Sequence, residues 1–471
     1  MTDVTELRSR LHALADATTA APRLDLPEAL IGEGHRRRRR RRRTLTAVAA
    51  AAAVVLVATP VVLDRLPSSA APAPGVGVAE PGEPTIPEGQ APAAVLPDAD
   101  VYSGPTRGSL AGDAAFLAGV AELPWPELPP GFEPVPDGPR TVVYATEQSG
   151  RRWALVAVDA SPEQVVVTWF AGPPGASPEQ MGVPTFPKRL PRSTPAAVMD
   201  ADTGTVLVVA APGDRLAASA RPEVDAAGTV GRTFEAVPAT DGTGAAVVGA
   251  RPTWSDWSVR VRVQRGDDTA TFVPVPATRG GYVPAPTPVT SLRPAPEPSP
   301  ADTTLDAQPD EILGQAGLPA DEVTFTALWT GDVPATRGLT ARVRLLAATL
   351  PSGAVYVTAS AGVALGGTSF SGFTCGAGVL PAGAPVVERT VALRCTHPDL
   401  AGDQLLVAGP LQGATVQLIT ADGAVTGEHP LPGGAAAIPV TGAVSAVAVL
   451  DAAGTVIAGS GVVVPQSLED R

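Results

Sequence analysis

The chain has 471 residues, a formal net charge of −13 and a hydrophobic content of 44%. This length is enough for about three domains. Residues 1–43 carry 11 arginines against six acidic residues, whereas the rest of the chain carries 23 basic against 41 acidic residues. Because phosphate contacts need clustered cations, the acidic remainder argues against nucleic acid as a partner.

The segment 1–43 is predicted to contain one short amphipathic helix near its start. Leu7, Leu11 and Leu14 repeat at positions i, i+4 and i+7, which places them on one helical face. An isolated helix of this length is marginal in water. The three leucines are therefore a candidate partner-binding face, with lipid contact or disorder as the alternative.

An uninterrupted arginine run precedes the longest apolar stretch of the chain. Residues 44–63 contain seven Ala, six Val, three Leu, three Thr and one Pro, without a charge. A helix of 20 residues spans about 30 Å, the thickness of the hydrocarbon core of a bilayer. Arginines that flank a span stay on the cytoplasmic side and contact anionic lipid headgroups. The residues predicted to set this topology are Arg36, Arg37, Arg38, Arg39, Arg40, Arg41, Arg42 and Arg43.

The prediction is therefore a single transmembrane helix over 44–63, with residues 1–43 cytoplasmic and the bulk of the chain outside the plasma membrane. A nucleic-acid patch is the alternative for an arginine run, but this run adjoins a predicted span. A cleaved signal peptide is the alternative for the span itself. The 43 residues before the span and its 20-residue length both favour an uncleaved anchor.

The region outside the membrane is predicted to be mostly β. Residues 64–100 are rich in Pro, Ala and Gly, which predicts an extended tether. Residues 101–284 contain apolar runs around Ser-Gly and Asp-Thr-Gly turns, together with a period-two alternation of Val and Arg over 259–264. These patterns favour a first β domain, built as a sandwich, a barrel or a short propeller.

A proline-rich linker over 285–302 is predicted to separate this domain from a second one. Residues 303–465 begin with one possible short helix and continue with apolar runs that turn at Asp-Gly and Ala-Gly pairs. These features favour an immunoglobulin-like sandwich, followed by a tail over 466–471. The tetrapeptide Val-Pro-Ala-Thr recurs at unequal spacings of 38 and 58 residues, which does not predict a structural repeat.

Two cysteines, Cys375 and Cys395, lie on the predicted outer side. An even count outside the cytoplasm predicts one disulfide, with Cys375 in a Gly-rich loop and Cys395 on a strand. Two buried free thiols are one alternative. A metal pair with His397 is the other, although no fourth ligand follows at a recognisable spacing.

No catalytic motif, metal-binding motif or cofactor fingerprint is found in the sequence. The two histidines of the outer region, His397 and His429, are not near a nucleophile motif, and the acidic pairs lie at predicted turns. Four tryptophans of the first β domain are predicted to be core residues instead of a ligand platform. These are Trp153, Trp169, Trp254 and Trp257. No enzymatic role and no cofactor are therefore predicted.

The arrangement of a short inner helix, an arginine-rich stop, an Ala/Val-rich span and β-rich outer domains resembles actinobacterial single-pass membrane proteins that accompany extracytoplasmic-function sigma factors. The low lysine content, one against 33 arginines, also resembles that of high-GC bacteria. The resemblance implies a cytoplasmic protein partner such as a sigma factor. The zinc-binding H-x-x-x-C-x-x-C motif of one anti-sigma class is absent, because residues 1–43 contain His12 and His35 but no cysteine.

Three functions remain open from the sequence. The first is a membrane-anchored extracytoplasmic module that binds or senses an unknown ligand and signals through residues 1–43. The second is a structural envelope protein with a passive anchor. The third is an envelope hydrolase whose carboxylates carry no recognisable motif.

Overall fold

The computed structural model describes residues 96–126, 128, 133–249, 258–277, 286–366 and 369–468. The predicted leucine face, the arginine run, the span over 44–63 and most of the tether lie outside these residues. Within the described ranges, no helix is long and apolar enough to cross a membrane. The described chain is mostly β, as predicted, and is arranged in several sheets.

A four-stranded antiparallel sheet, here called the first meander, opens the fold. Its strands are β1 (Arg140–Gln148), β2 (Arg151–Ser161), β3 (Gln164–Gly172) and β4 (Lys188–Pro191), in that order across the sheet. The predicted Ser-Gly hairpin joins β1 to β2 through Ser149 and Gly150, with φ angles of 52° and 73°. Two positive φ angles match the twist of a tight hairpin. Helix α1 (Ala114–Ala121), whose N-terminus is capped by Asp113, buries Phe116 against the outer face of this sheet.

Two further sheets follow and form the first sandwich. One has the order β11-β12-β6-β5-β15 and the other the order β10-β7-β13-β14. The strands are β5 (Ala196–Asp200), β6 (Thr205–Val209), β7 (Arg215–Ser219), β10 (Glu235–Val237), β11 (Ala239–Thr240), β12 (Thr243–Val247), β13 (Arg260–Arg265), β14 (Asp268–Phe272) and β15 (Val275–Pro276). A separate hairpin contains β8 (Glu223–Val224) and β9 (Val230–Gly231).

The second half begins with two short helices and a five-stranded sheet, here called the second meander, in the order β16-β17-β18-β19-β20. Helix α3 begins with Pro309 in its first turn and ends at Gly317, whose φ of 61° is left-handed. The elements are β16 (Val289–Ser291), α2 (Asp302–Asp306), α3 (Gln308–Ala316), β17 (Thr324–Pro334), β18 (Thr340–Thr349), β19 (Val355–Gly366) and β20 (Ser369–Leu380).

A second sandwich completes the chain, with the sheets β21-β22-β25 and β24-β23-β26-β27. Its strands are β21 (Val391–Cys395), β22 (Gln404–Ala408), β23 (Thr415–Ile419), β24 (Val425–Pro430), β25 (Ala435–Pro439), β26 (Ala446–Leu450) and β27 (Val456–Gly461). Short 3-10 turns cover Pro178–Gln180, Ala320–Glu322, Thr336–Gly338, Val386–Glu388 and Pro432–Gly434.

Both sandwiches have the strand order of the immunoglobulin fold. Taking the first strand of each as A, one sheet contains A, B and E, and the other contains C′, C, F and G. This strand order occurs over 391–461, within the region 303–465, and over 196–272, while the immunoglobulin-like domain over 303–465 stays a prediction. Each sandwich is preceded by a meander, so each half contains three stacked sheets.

The two halves repeat the same topology element by element. Each half begins with a segment that pairs in parallel with a long strand, which is β1 in the first half and β17 in the second. Helix, antiparallel meander strands and sandwich follow in that order. A final segment then pairs in parallel with strand A of the sandwich. That last pairing joins Val275 to Val198 in the first half and Val462 to Ala392 in the second. The pairing of β1 with β2 contains a register shift, and so does the pairing of β17 with β18. The repeat lies in strand order and is not marked by the Val-Pro-Ala-Thr tetrapeptide, whose three copies begin on β10, β15 and β17.

One arginine in each half connects the meander to the sandwich; Arg107 is half-buried and Arg293 is buried. The guanidinium of Arg107 donates to the carbonyl oxygens of Val101, Ala210 and Asp241 at 2.6–3.0 Å. Arg293 does the same in the second half, donating to four backbone carbonyls. Ala210 directly follows strand B of the first sandwich, and Gly409, one acceptor of Arg293, directly follows strand B of the second. Burial lowers the pKa of both arginines.

Hydrophobic clusters fill every sheet interface. Trp153, Leu155 and Val167 of the first meander pack on Val198 and Leu207 of the first sandwich. The second meander and sandwich meet in an equivalent cluster, and each sandwich has its own interior cluster. The predicted core positions Trp153 and Trp169 are 1% and 3% exposed, respectively. Trp254 and Trp257 lie outside the described residues.

Three predicted boundaries differ from the structure. Leu96, placed in the tether, is buried in the first sandwich. The predicted linker 285–302 contains strand β16 and the buried Arg293, and the predicted tail contains Leu468, which is fully buried. Each of these segments contains a buried apolar residue or a hydrogen-bonded side chain, and this interaction holds the segment on the fold although its composition is typical of a linker or tail. Val230 of β9 packs in one cluster with Ile312 of α3, so the halves share a core, and the division into two domains stays a prediction.

Candidate functional site

Of the predicted site residues, Cys375 and Cys395 are the two that lie within the described part of the chain. The side chains of Cys375 on β20 and Cys395 on β21 form a disulfide, with Cα atoms 4.6 Å apart and a separation of 20 residues. Cys375 lies within a strand and not in a loop, because β20 runs unbroken from Ser369 to Leu380. The bond joins the second meander to the second sandwich and is buried, which indicates a structural role.

The histidines of the outer region make local contacts. The ring of His397 stacks on Phe373 with a centroid distance of 3.6 Å, and its Nδ1 accepts the backbone amide of Asp399. His429 lies on β24. Across the described ranges, no cluster of three or more His, Cys, Asp or Glu side chains could hold a metal ion.

An apolar cavity of about 280 Å³ lies between the first meander and the first sandwich. It is bordered by β3 and β4 of the meander, by β5 and β15 of one sandwich sheet, and by β14 of the other. The lining is Leu96, Val167, Trp169, Thr185, Phe186, Lys188, Leu190, Pro191, Ser193, Thr194, Pro195, Ala196, Ala197, Ala270, Thr271, Phe272, Val273 and Val275. This volume is at the lower end of the range for ligand pockets.

A rigid aromatic floor and an anchored loop shape the cavity. Trp169 contacts Tyr144 and Trp153 edge-to-face, with centroid distances of 6.2 and 6.5 Å. The backbone amide of Trp169 donates to Thr185 Oγ1 at 3.3 Å, which ties the loop before β4 to β3. The loop therefore holds the side chain of Phe186 at the rim, where it is 58% exposed.

Lys188, the only lysine of the chain, contributes the only charge of the cavity lining. Its strand neighbours and nearby arginines are neutralised within the described part of the chain. Arg189 pairs with Glu133 at 2.8 Å, and Arg192 pairs with Asp100 at 3.0 Å. Lys188 forms no ion pair with any described residue, and the lining contains no carboxylate. The cavity therefore combines apolar walls with one uncompensated cation.

The second repeat has a glycine at the position that corresponds to Lys188. Lys188 pairs with Val167 two residues before the sequence Leu-Pro, and Gly378 pairs with Val357 two residues before a second Leu-Pro. A Cβ atom at Gly378 would lie 2.4 Å from Val463 Cγ1, so β20 packs closely on the segment that follows β27. The lysine is therefore not part of the shared topology.

Neither Cys375 nor Cys395, the predicted site residues that lie within the described part of the chain, lines this cavity. Trp169 was predicted to be a core residue, and it is both core and cavity floor. The signal available in the sequence was the isolated lysine, but its apolar neighbours come from four separate segments. Comparison with protein-family models, with curated proteins and with solved structures finds no match for this chain.

Proposed function

We propose that the chain is a membrane-anchored cell-envelope protein whose first extracytoplasmic repeat binds a small, largely apolar molecule. The observation that carries this proposal is the open apolar cavity of the first repeat, whose lining is apolar except for Lys188 and a few serine and threonine side chains. Pockets with apolar walls and few polar groups are the usual form of small-molecule sites.

The membrane part of the proposal rests on the sequence. The arginine run followed by 20 uncharged residues supports a single-pass anchor with a cytoplasmic N-terminus. The bilayer is then one partner, and a cytoplasmic protein such as a sigma factor, bound through Leu7, Leu11 and Leu14, is a second. A labelling experiment with an impermeant reagent on intact cells would test the orientation. Accessibility of residues 1–43 from outside would contradict it.

A cavity-filling variant tests the binding function. Ala270 of β14 lines the cavity, and Ala270→Trp is expected to occupy it. The matched control is Ala458→Trp, because Ala458 holds the corresponding edge-strand position in the second sandwich. Ala270 pairs with Val263, and Ala458 pairs with Val449, each facing its own sandwich interior.

The measurement is saturable binding of decanol to the full chain in lipid nanodiscs, with empty nanodiscs as reference. The native chain and Ala458→Trp are expected to bind, and Ala270→Trp is expected to lose binding. A native chain that shows no saturable binding would contradict the proposal and favour a structural envelope role.

A further inference from the structure

The cation at the rim of the cavity indicates which class of apolar molecule fits. We infer that the cavity binds an amphipathic anion, with an aliphatic body inside and a carboxylate on the Nζ ammonium of Lys188. This inference rests on the proposed function of the cavity. It adds the head-group chemistry and the orientation of the ligand.

The electrostatics of the site favour an anion. The chain carries a net charge of −13, and yet the cavity lining contains one lysine and no acidic residue. The described arginines near the cavity form ion pairs with carboxylates. Arg265, for example, pairs with Asp214 at 2.8 Å. The exposed ammonium of Lys188 has no carboxylate partner among the described residues, so it is available to an anionic head group at the rim while the apolar walls take the rest of the ligand.

The shape of the cavity favours an aliphatic body. A volume of about 280 Å³ lies just below the range of about 300–1,000 Å³ that is usual for small-molecule pockets, which suits a small body such as one medium-length acyl chain. Trp169, Leu190 and Phe272 line the space that such a chain would fill. The cation lies on the exposed strand β4, so the head group would face solvent while the chain is buried.

The second repeat provides an internal comparison. The position of Lys188 is taken by Gly378, where a Cβ atom would lie 2.4 Å from Val463 Cγ1. A lysine side chain could not be accommodated there without a shift of its neighbours. The cation is therefore specific to the repeat whose cavity it borders, which supports a role for Lys188 in the ligand site.

Decanoate and decanol differ in the charge of the head group and are otherwise closely matched probes. We expect the native full chain in nanodiscs at pH 7.5 to bind decanoate at least about tenfold more tightly than decanol, corresponding to about 1.4 kcal/mol. Lys188→Gln should remove this preference and leave decanol binding intact. The control Arg189→Gln changes the adjacent side chain, which points to the opposite face of β4, and should preserve the preference.

The outcomes separate the two proposals. Equal affinity of the native chain for decanoate and decanol, or an unchanged preference in Lys188→Gln, would overturn the anion inference while leaving apolar binding in place. Absence of saturable binding of both probes would overturn the proposed function itself. A preference that weakens at high salt would support direct charge pairing.

Discussion

Replacing Arg293 with methionine should destabilise the second half of the protein. Its guanidinium donates to Gly433 O at 2.7 Å, Leu328 O at 2.5 Å, Gly409 O at 2.6 Å and Gly434 O at 3.0 Å. Methionine preserves most of the apolar stem but donates no hydrogen bond. Gly434 O also accepts the amide of Gly409 and so keeps a partner in the variant. The buried carbonyls of Leu328 and Gly409 therefore lose this donor, whereas Gly433 is exposed and its carbonyl can accept from water.

The expected magnitude follows from those two buried carbonyls. Each costs about 1–3 kcal/mol when it loses its donor, and removal of a buried guanidinium recovers part of this by relieving the cost of its burial. We expect a net loss of about 3 kcal/mol in the free energy of unfolding. With an m-value of about 3 kcal/mol/M, the urea midpoint should fall by about 1 M.

Urea unfolding followed by circular dichroism is the assay, with two comparison variants. Arg107→Met removes the corresponding arginine of the first repeat and should lower the midpoint in the same direction, because it donates to three carbonyls. Arg215→Met changes an exposed arginine at the start of β7 and should alter stability by no more than about 0.5 kcal/mol. A midpoint for Arg293→Met equal to that of Arg215→Met would refute this role of the two arginines.

Two further predictions concern covalent and ionisable groups of the core. Replacing Cys375 and Cys395 together with serine should cost about 3 kcal/mol of unfolding free energy, because the disulfide closes a loop of 20 residues; an unchanged urea midpoint would contradict this. Burial raises the pKa values of Tyr102 and Tyr144, so the folded chain keeps these protons at a pH where the unfolded chain loses them. Their contribution to stability is full below about pH 10 and is lost as the pH rises above it. The urea midpoint of the native chain should therefore fall more steeply between about pH 9 and pH 11 than that of a Tyr102→Phe, Tyr144→Phe variant, and parallel curves would contradict the assignment.

Most individual strands could be predicted from the sequence because their signals are local. The Ser-Gly turn after β1 has the composition of a tight hairpin, and the strand from Arg260 to Arg265 alternates between residue types with a period of two. Helix α3 has a proline in its first turn and a glycine directly after its end. Arg260 is an exception. The alternation places its side chain on the solvent-facing side of the strand, but the residue is buried.

Segment boundaries were less predictable because composition describes average behaviour. Proline-rich stretches usually form linkers, but Arg293 in one such stretch finds four carbonyls that lie about 35 to 141 residues away in sequence. Leu468 near the C-terminus is buried against residues far earlier in the chain. No local pattern contains these distant partners.

The sequence by itself determined the β-rich class, the positions of the hairpins and the charge asymmetry between the two ends, because each depends on neighbouring residues. Only the tertiary structure decided that the chain repeats one three-sheet topology, that an arginine connects the sheets in each half, and that the first repeat contains a cavity. The repeat depends on which strands pair, and pairing is set by backbone hydrogen bonds that many sequences can satisfy. The cavity depends on how residues from four separate segments pack around β4, which no local pattern contains.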